Sequence, residues 1–331
     1  LLLVLAERGT HAVRPIYVVL ILLGVVRSFN GTASRSILPQ LVPEEHFPNA
    51  VAWNATTFQA ATILGPSLGG ILYAAFHGPS AVYAAAMLTA LGALVSTFRI
   101  KARQQARRRE PMTVKTVFAG LHFIWREKLI LGAISLDLFA VLLGGAVALL
   151  PVYARDILHT GPWGLGLLRT APGVGAAVMA VALAHRPLRG RAGPTLLWSV
   201  AGFGVLTILF GVSHSIVLSL VSLVLLGASD MISVIIRATL VQLRTPDEMR
   251  GRVMAVDMVF IGTSNELGQF ESGLTAQWFG TVPAVVLGGV GTLVVIALWA
   301  WMFPDLRRTG ALSAINTEVE EEASEAAEEM H

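Results

Sequence analysis

Long apolar segments, separated by short polar or basic connections, make up most of the chain. Nine of them have about the twenty mostly apolar residues that an α-helix needs to cross a bilayer, and they lie near 16–38, 50–76, 79–98, 129–154, 163–185, 194–213, 215–236, 253–279 and 281–303. A transmembrane β-barrel would show segments of about ten residues with alternating polarity. One apolar run could be a buried core helix, but nine in series predict an all-α integral membrane protein.

The connections are short except for residues 99–128, which are rich in Lys and Arg. Within this stretch apolar residues recur at the spacing of one helical face, at Val114, Val117, Phe118, Leu121 and Trp125. The pattern predicts an amphipathic helix that lies at the membrane surface. We interpret the Arg cluster as a topology signal that also attracts anionic lipids, and not as a nucleic-acid site.

The distribution of basic residues predicts the orientation of the chain. If 99–128 is cytoplasmic and the loops alternate, nineteen of the 24 Lys and Arg residues lie on the cytoplasmic side, Arg237 among them. Three lie on the outer side, and Arg27 and Arg169 lie within spans. Such a bias is the positive-inside signature of membrane proteins. The C-terminus is therefore predicted to be cytoplasmic.

Six spans follow the basic connection, whereas three spans and an apolar stub precede it. We therefore divide the chain into an incomplete N-terminal bundle (1–98), a basic cytoplasmic loop (99–128), a C-terminal six-helix bundle (129–303) and an acidic tail (304–331). If the halves are equivalent, the protein has twelve helices, and we expect that helices one, two and most of three are missing from this sequence. The Glu-rich tail is typical of a disordered segment or a solvated helix.

The two bundles share an internal repeat. Residues 35–45 resemble residues 237–248 with one insertion, and from there a constant offset of 203 residues needs no gap. Chance similarity between apolar helices is the alternative, but several pairs are polar, Gly or Pro: Pro43 with Pro246, Glu45 with Glu248, Asn54 with Asp257, Gly65 with Gly268 and Gly70 with Gly273. Parallel repeats of this kind build transporters whose substrate site lies between the halves.

Composition narrows the class of protein further. Charged residues make up 14% of the chain and hydrophobic residues 54%, against about 25% charged residues in soluble domains. The chain has no cysteine, which excludes a disulfide scaffold and Cys-based zinc or iron–sulfur sites. It has no phosphate-binding P-loop and no metalloprotease or serine-hydrolase motif, and its eight His residues do not cluster. We therefore expect no enzyme activity, no cofactor and no metal.

Two motifs add a family resemblance. The stretch 65–70 (GPSLGG) resembles the fifth-helix motif of drug–proton antiporters, and 245–253 (TPDEMRGRV) resembles the turn between helices ten and eleven in a branch of bacterial secretion transporters that includes enterobactin exporters. With the repeat and the basic central loop, the chain up to about residue 305 resembles the major facilitator superfamily. The resemblance implies two pseudo-equivalent six-helix bundles, here from the end of helix three to helix twelve, in a bacterial inner membrane.

Ionisable residues inside the spans are the strongest functional candidates, because each costs at least about 2.5 kcal/mol at a helix centre and normally faces a cavity or a partner. They are Asp137, Arg27, Glu266, Asp230 and Glu271. For Asp137, Glu266 and Arg27 we favour a transport cavity over a structural ion pair, and Asp137 could exchange protons as the cavity switches sides. Asp230 could instead pair with Arg237 or lie at the cavity mouth.

Other polar residues could contact a substrate or join helices by hydrogen bonds; they are Asn30, Asn54, Gln59 and Asn265. In the 65–70 motif, Pro66 removes a backbone donor, while Gly65, Gly69 and Gly70 let a neighbouring helix approach closely. This motif is either a hinge that sets which side of the transporter opens or a place of tight packing alone.

The cytoplasmic turns carry acidic residues at the starts of helices, where they complement the helix dipole. The resemblance adds a role in an inner gate that pairs with cytoplasmic Arg residues. The gate candidates are Glu45, Asp247, Glu248, Arg186, Arg189, Arg250 and Arg252.

The sequence thus predicts a secondary active transporter, a monomer in the lipid bilayer, that exports a small amphipathic molecule (a siderophore, drug or metabolite) by proton antiport. An importer or symporter of the same fold is the alternative within this class, and a non-transporting scaffold or receptor is the alternative outside it. A concave cavity that contains Asp137 and Arg27 would favour transport, whereas a filled interior with every charge paired would favour a scaffold.

Overall fold

The structure is a computed structural model that describes residues 17–26, 41, 47–100, 114–186 and 190–310. It divides into two compact units, Leu1–Glu110 and Pro111–His331. In the N-terminal unit, α1 covers Tyr17–Val26, α2 covers Phe47–Ala75 and α3 covers Ser80–Arg99. Helices α2 and α3 pack against each other, and α2 continues through Pro66.

The C-terminal unit begins with α4 (Val114–Arg126) and continues with α5 (Lys128–Gly144), α6 (Gly161–His185), α7 (Ala192–Gly211), α8 (Ile216–Arg244), α9 (Asp247–Phe279), α10 (Thr281–Met302) and the short α11 (Pro304–Arg308). The long helices α5 to α10 correspond one by one to the six spans predicted for this half. The sequence prediction of helical segments is therefore confirmed for the C-terminal bundle.

Six helical segments in the described residues are long and apolar enough to cross a membrane. One is α3, and the other five are Lys128–Ile157, which contains α5, together with α6, α7, α8 and α10. Helix α9 is 33 residues long but less apolar, because Asp257, Glu266 and Glu271 lie along it. Ionisable side chains within a bundle helix are candidates for functional residues.

The first long helix of the bundle is broken. Helix α5 ends at Gly144, a 3₁₀ turn covers Ala146–Leu149, and a π-helical turn covers Tyr153–Ile157. The buried Tyr153 hydroxyl donates a hydrogen bond of 2.7 Å to the carbonyl of Gly211, and its ring packs on Phe210 at 4.5 Å between centroids. These contacts fix the segment after the break to the end of α7.

Helices α6 and α8 cross at close range, next to the break in α5. A Cβ placed on Gly227 of α8 would lie 1.9 Å from the carbonyl oxygen of Pro172, and one on Gly175 of α6 would lie 1.8 Å from that of Val224. Only glycine allows backbones to approach this closely, as at many membrane helix crossings. Helix α7 packs on α8 and α10, and α5 packs on α9 and α10.

The predicted amphipathic helix is present as α4, which packs on α9. Its buried side centres on Ile124, which packs with Val253 and Val256 of α9, and Leu121 lies against the same cluster. Phe118 and Trp125 are exposed. One side of the helix therefore packs in the bundle, while two large aromatic residues remain at the surface.

Candidate functional site

A buried arginine joins three helices of the C-terminal bundle. Arg237 of α8 is only 4% exposed. Its Nη2 lies 3.2 Å from Oδ2 of Asp137 on α5, and its Nη1 donates a hydrogen bond of 2.8 Å to Oδ1 of Asp257 on α9. A planar guanidinium with several donors suits two carboxylates at once. We call Arg237, Asp137 and Asp257 the charge cluster.

The charge cluster changes two expectations drawn from the sequence. The structure places Asp137 in an ion pair, the alternative to the cavity role that we favoured. The predicted span 215–236 ends too early, because α8 continues to Arg244 and its residue Arg237 is buried in the bundle and not exposed in a loop. Apolar content alone does not reveal a buried Arg237, because a basic residue after an apolar segment is taken as the end of the span.

A cavity of about 270 Å³ opens beside the break in α5. Its walls come from α5 and the turn after it, and from α6, α7, α8 and α9. Most of the lining is apolar or glycine, and two of its residues carry polar side chains, Asp230 of α8 and Asn265 of α9. A concave apolar pocket with a few convergent polar groups is the usual form of a small-molecule site.

The two polar residues of the cavity present acceptor oxygens. The Asp230 carboxylate forms no ion pair with any residue that the structure describes, and Arg237 is engaged by Asp137 and Asp257. The side-chain amide nitrogen of Asn265 donates to the carbonyl of Ile261 at 2.8 Å. The side-chain oxygen of Asn265 is an acceptor, and its amide nitrogen keeps a second N–H.

The break in α5 supplies part of the cavity wall. Gly144 and Gly145 both line the cavity, and the Gly145 carbonyl accepts a hydrogen bond of 2.7 Å from the Ser272 hydroxyl of α9. Non-helical backbone at membrane depth is tolerated where it is buried in protein or lines a cavity. Discontinuous helices of this kind commonly form the binding sites of transporters.

A small gap shares the lining residues Val141, Phe203 and Asp230 with the cavity and also touches Asp137 of the charge cluster. It is lined by Asp137, Asp230 and Ser233, among apolar neighbours, and has a volume of about 10 Å³. That volume is close to what one water molecule requires. The buried Ser233 hydroxyl has no hydrogen-bond partner in the described part of the chain. Asp230 therefore borders both the large cavity and the gap that leads to Asp137.

The two glutamates predicted on α9 lie apart from Asp230. Glu266 is exposed, and Oε1 of Glu271 accepts a hydrogen bond of 2.6 Å from the Thr275 hydroxyl one turn along. Neither glutamate lines the cavity. Among the residues that the structure describes, no group of three or more His, Asp or Glu residues is arranged to hold a metal ion.

Several predicted residues belong to the N-terminal unit. Asn54 lies exposed on α2, Gln59 lies on the same helix, and the 65–70 motif lies within its C-terminal half. A Cβ on Gly69 would lie 3.9 Å from Val82 of α3, whereas one on Gly65 would meet no described atom within 4 Å. Gly70 is buried. Arg27 and Asn30 lie outside the described residues.

The predicted gate residues are only partly described. Glu45 and Arg189 lie outside the described residues, while Asp247 and Glu248 form the first turn of α9. Arg186 is exposed at the end of α6. Arg250 donates to the Gln242 carbonyl at 3.4 Å, and Arg252 Nη1 lies 3.6 Å from the Met249 sulfur. The gate role of these residues stays a prediction.

Neither Arg237 nor Asp257 was a candidate site residue in the sequence analysis, although the sequence contains a signal for both. The internal repeat places Arg35 opposite Arg237 and Asn54 opposite Asp257. Polar residues at matching positions of two apolar repeats indicate a shared structural requirement. Used in this way, the repeat would have pointed to both members of the charge cluster.

Comparison with known proteins places this architecture in a family. Residues 1–268 match the family model of the Major Facilitator Superfamily. The chain therefore belongs to the Major Facilitator Superfamily, and it is a multi-pass bacterial membrane protein of a transporter family.

Among its relatives are the proteins named Enterobactin exporter EntS of Shigella boydii serotype 18, Escherichia coli O139:H28 and Escherichia fergusonii. Each is 25% identical to this chain over 285 residues, which cover 86% of this chain and 68% of the relative. The family resemblance drawn from the sequence motifs is confirmed, and the family and these relatives point to transport rather than to enzyme chemistry.

Proposed function

We propose that this protein is a secondary active exporter that couples the outward movement of a small amphipathic molecule to the inward movement of protons. The observation that carries the proposal is the cavity beside the broken α5, where Asp230 is the one carboxylate that the described residues contribute. A scaffold gains nothing from an unpaired acidic side chain in a membrane bundle, because such a group is costly there. The exporter names of the relatives support the outward direction.

In this mechanism the two halves of the protein rock about the substrate site and expose it to one side of the membrane at a time. Asp230 is the residue we propose to carry the exchanged proton. The charge cluster leaves Asp137 engaged with Arg237, whereas Asp230 borders the cavity and has no ion-pair partner in the described residues. The gap between Asp230, Ser233 and Asp137 would let a proton pass between the two carboxylates.

We further propose a monomer in the bacterial inner membrane with the C-terminus in the cytoplasm. The bias of Lys and Arg supports this orientation even without Arg237, because the remaining basic residues still concentrate on one side. Labelling single cysteines introduced at Arg155 and Arg308 with a membrane-impermeant reagent tests it, since the chain has no cysteine of its own. We expect the first position to react from outside the cell and the second only after lysis.

The transport proposal is tested with purified protein in proteoliposomes, with and without an imposed proton gradient. We expect gradient-driven movement of an amphipathic compound that Asp230→Asn abolishes and Asp156→Asn does not, because Asp156 lies in an exposed pair with Arg155. Flux along the proton direction would favour a symporter. The absence of gradient-dependent flux for any compound of an amphipathic panel would contradict the proposal and favour the scaffold.

A further inference from the structure

The cavity beside α5 has walls suited to an apolar ligand. Branched and aromatic side chains such as Val141, Leu223 and Phe203 line it, together with glycines of α5, α6 and α8, which have no side chain to project into it. A volume of about 270 Å³ lies just below the usual range of about 300–1,000 Å³ for small-molecule sites, so the ligand must be small. The walls therefore set the size and the apolar character of the ligand, and the polar groups set its charge.

Both polar side chains of the cavity offer oxygen acceptors to a ligand. Asp230 supplies a carboxylate, and Asn265 supplies its amide oxygen, while one N–H of its amide group donates to Ile261. Among the residues that the structure describes, no Lys, Arg or His lines the cavity. A ligand that satisfies these two acceptor groups must therefore donate hydrogen bonds, and an anionic group would meet a carboxylate and no counter-charge from the described residues.

The positive charge of Arg237 does not neutralise the negative charge of Asp230. Arg237 is shared between Asp137 and Asp257 at 3.2 and 2.8 Å, so the group already contains more carboxylates than guanidinium charges. Asp230 adds a third acidic side chain at the edge of this group, on the side of the cavity. A cation in the cavity would compensate the excess negative charge.

We propose that this cavity binds an organic cation with an apolar body, held by Asp230 and the side-chain oxygen of Asn265. The inference rests on the proposed transport function and names the class of its substrate. The positive group, an ammonium or a similar donor, lies between the carboxylate and the amide oxygen, and the apolar body lies against the walls of α5, α6 and α8.

The test is equilibrium binding to the purified full chain in detergent, with no gradient, using three probes of the same shape and different charge. Phenylbutylamine is a cation at neutral pH, phenylbutanol is uncharged, and phenylbutyrate is an anion. We expect the amine to bind at least about tenfold more tightly than the alcohol, which is the effect of one charge-assisted hydrogen bond, and the anion to bind most weakly. Equal binding of the three probes, or a preference for the anion, overturns the proposal.

Three variants locate the site. Asp230→Asn should reduce the preference for the amine over the alcohol by about tenfold or more, and the matched change Asp156→Asn on an exposed pair should leave it unaltered. Asn265→Leu should weaken the amine by about fivefold, the effect of a neutral hydrogen bond. Ala176→Leu, which fills the cavity, should weaken amine and alcohol alike.

The outcomes separate the substrate class from the transport function. If Asp230→Asn does not yield folded protein, Asn265→Leu and Ala176→Leu still decide whether the probes occupy this cavity, and unchanged binding in both variants overturns the proposal. Binding that prefers the amine, together with absent flux in proteoliposomes, would contradict transport and leave the cation site standing. Gradient-driven flux of uncharged or anionic compounds, without a preference for the amine, would support transport and contradict the cation site.

Discussion

Asp230 and Arg237 lie seven positions apart on α8, so that about two helical turns separate them and they share one face of the helix. Arg237 is buried and bound by carboxylates from α5 and α9. Asp230 borders a cavity and has no ion-pair partner among the described residues. The first charge joins three helices, whereas the second is left accessible to a ligand. Within one helix the bundle thus separates a structural charge from a candidate functional one.

The largest effect is expected at the charge cluster. Replacing Arg237→Met leaves Asp137 and Asp257 buried without their counter-charge, and removing one partner of a buried ion pair typically costs about 3–5 kcal/mol. We expect the free energy of unfolding to fall by about this amount. Unfolding of the purified protein by titration with sodium dodecyl sulfate, followed by circular dichroism, measures it.

Neutralising the partners provides the control for this variant. Adding Asp137→Asn and Asp257→Asn to Arg237→Met removes the uncompensated charges, so much of the lost stability should return. A free energy of unfolding for Arg237→Met within about 1 kcal/mol of wild type would show that the cluster does not hold the helices together. The contrast between Arg237 and Asp230 would then fail.

The sequence could predict the helices of this fold but not the pairing of its charges. Apolar periodicity and length located α5 to α10, because a bilayer requires each span to be long and apolar. Asp137 and Asp230 were both recognised as charges inside spans. Which of them forms an ion pair with Arg237 depends on how α5, α8 and α9 pack, and the sequence of each helix does not determine that packing.

The break in α5 shows a second limit of the sequence. Residues 129–154 read as one apolar span, yet the helix ends at Gly144 and resumes as a 3₁₀ turn at Ala146. The adjacent glycines permit the break, and a tertiary contact accompanies it: the Ser272 hydroxyl of α9 donates a hydrogen bond to the Gly145 carbonyl. A contact of this kind cannot be read from the sequence of α5. The cavity that depends on this break was accordingly beyond the reach of apolar patterns.

A smaller effect is expected where the cavity wall depends on close helix packing. A Cβ on Gly227 would lie 1.9 Å from the Pro172 carbonyl oxygen, so Gly227→Ala forces α6 and α8 apart. We expect a loss of about 1–3 kcal/mol in the free energy of unfolding, the usual cost of overpacking. The same detergent titration measures it, and cation binding in the cavity should weaken in parallel because Pro172 and Gly227 both line it.

Gly251 of α9 is the matched control, because a Cβ there would meet no described atom within 4 Å. Gly251→Ala should leave stability unchanged or raise it by up to about 1 kcal/mol, the difference in helix propensity. Equal losses in both variants would assign the effect to backbone propensity and not to the crossing of α6 and α8.

The smallest effect on stability, and the one that bears most directly on the comparison, is expected at Asp230. Asp230→Asn removes a partly buried charge that forms no ion pair with any described residue, so we expect stability to be unchanged or higher by up to about 1 kcal/mol. The same substitution at Asp137 removes one of the two ion pairs of Arg237 and should lower stability by about 1–3 kcal/mol, the value of a hydrogen bond between charged groups. Unfolding titrations of the two variants side by side give the difference in sign. A loss at Asp230 equal to that at Asp137 would mean that both carboxylates hold the bundle together, and Asp230 would no longer stand apart as the charge kept for a ligand.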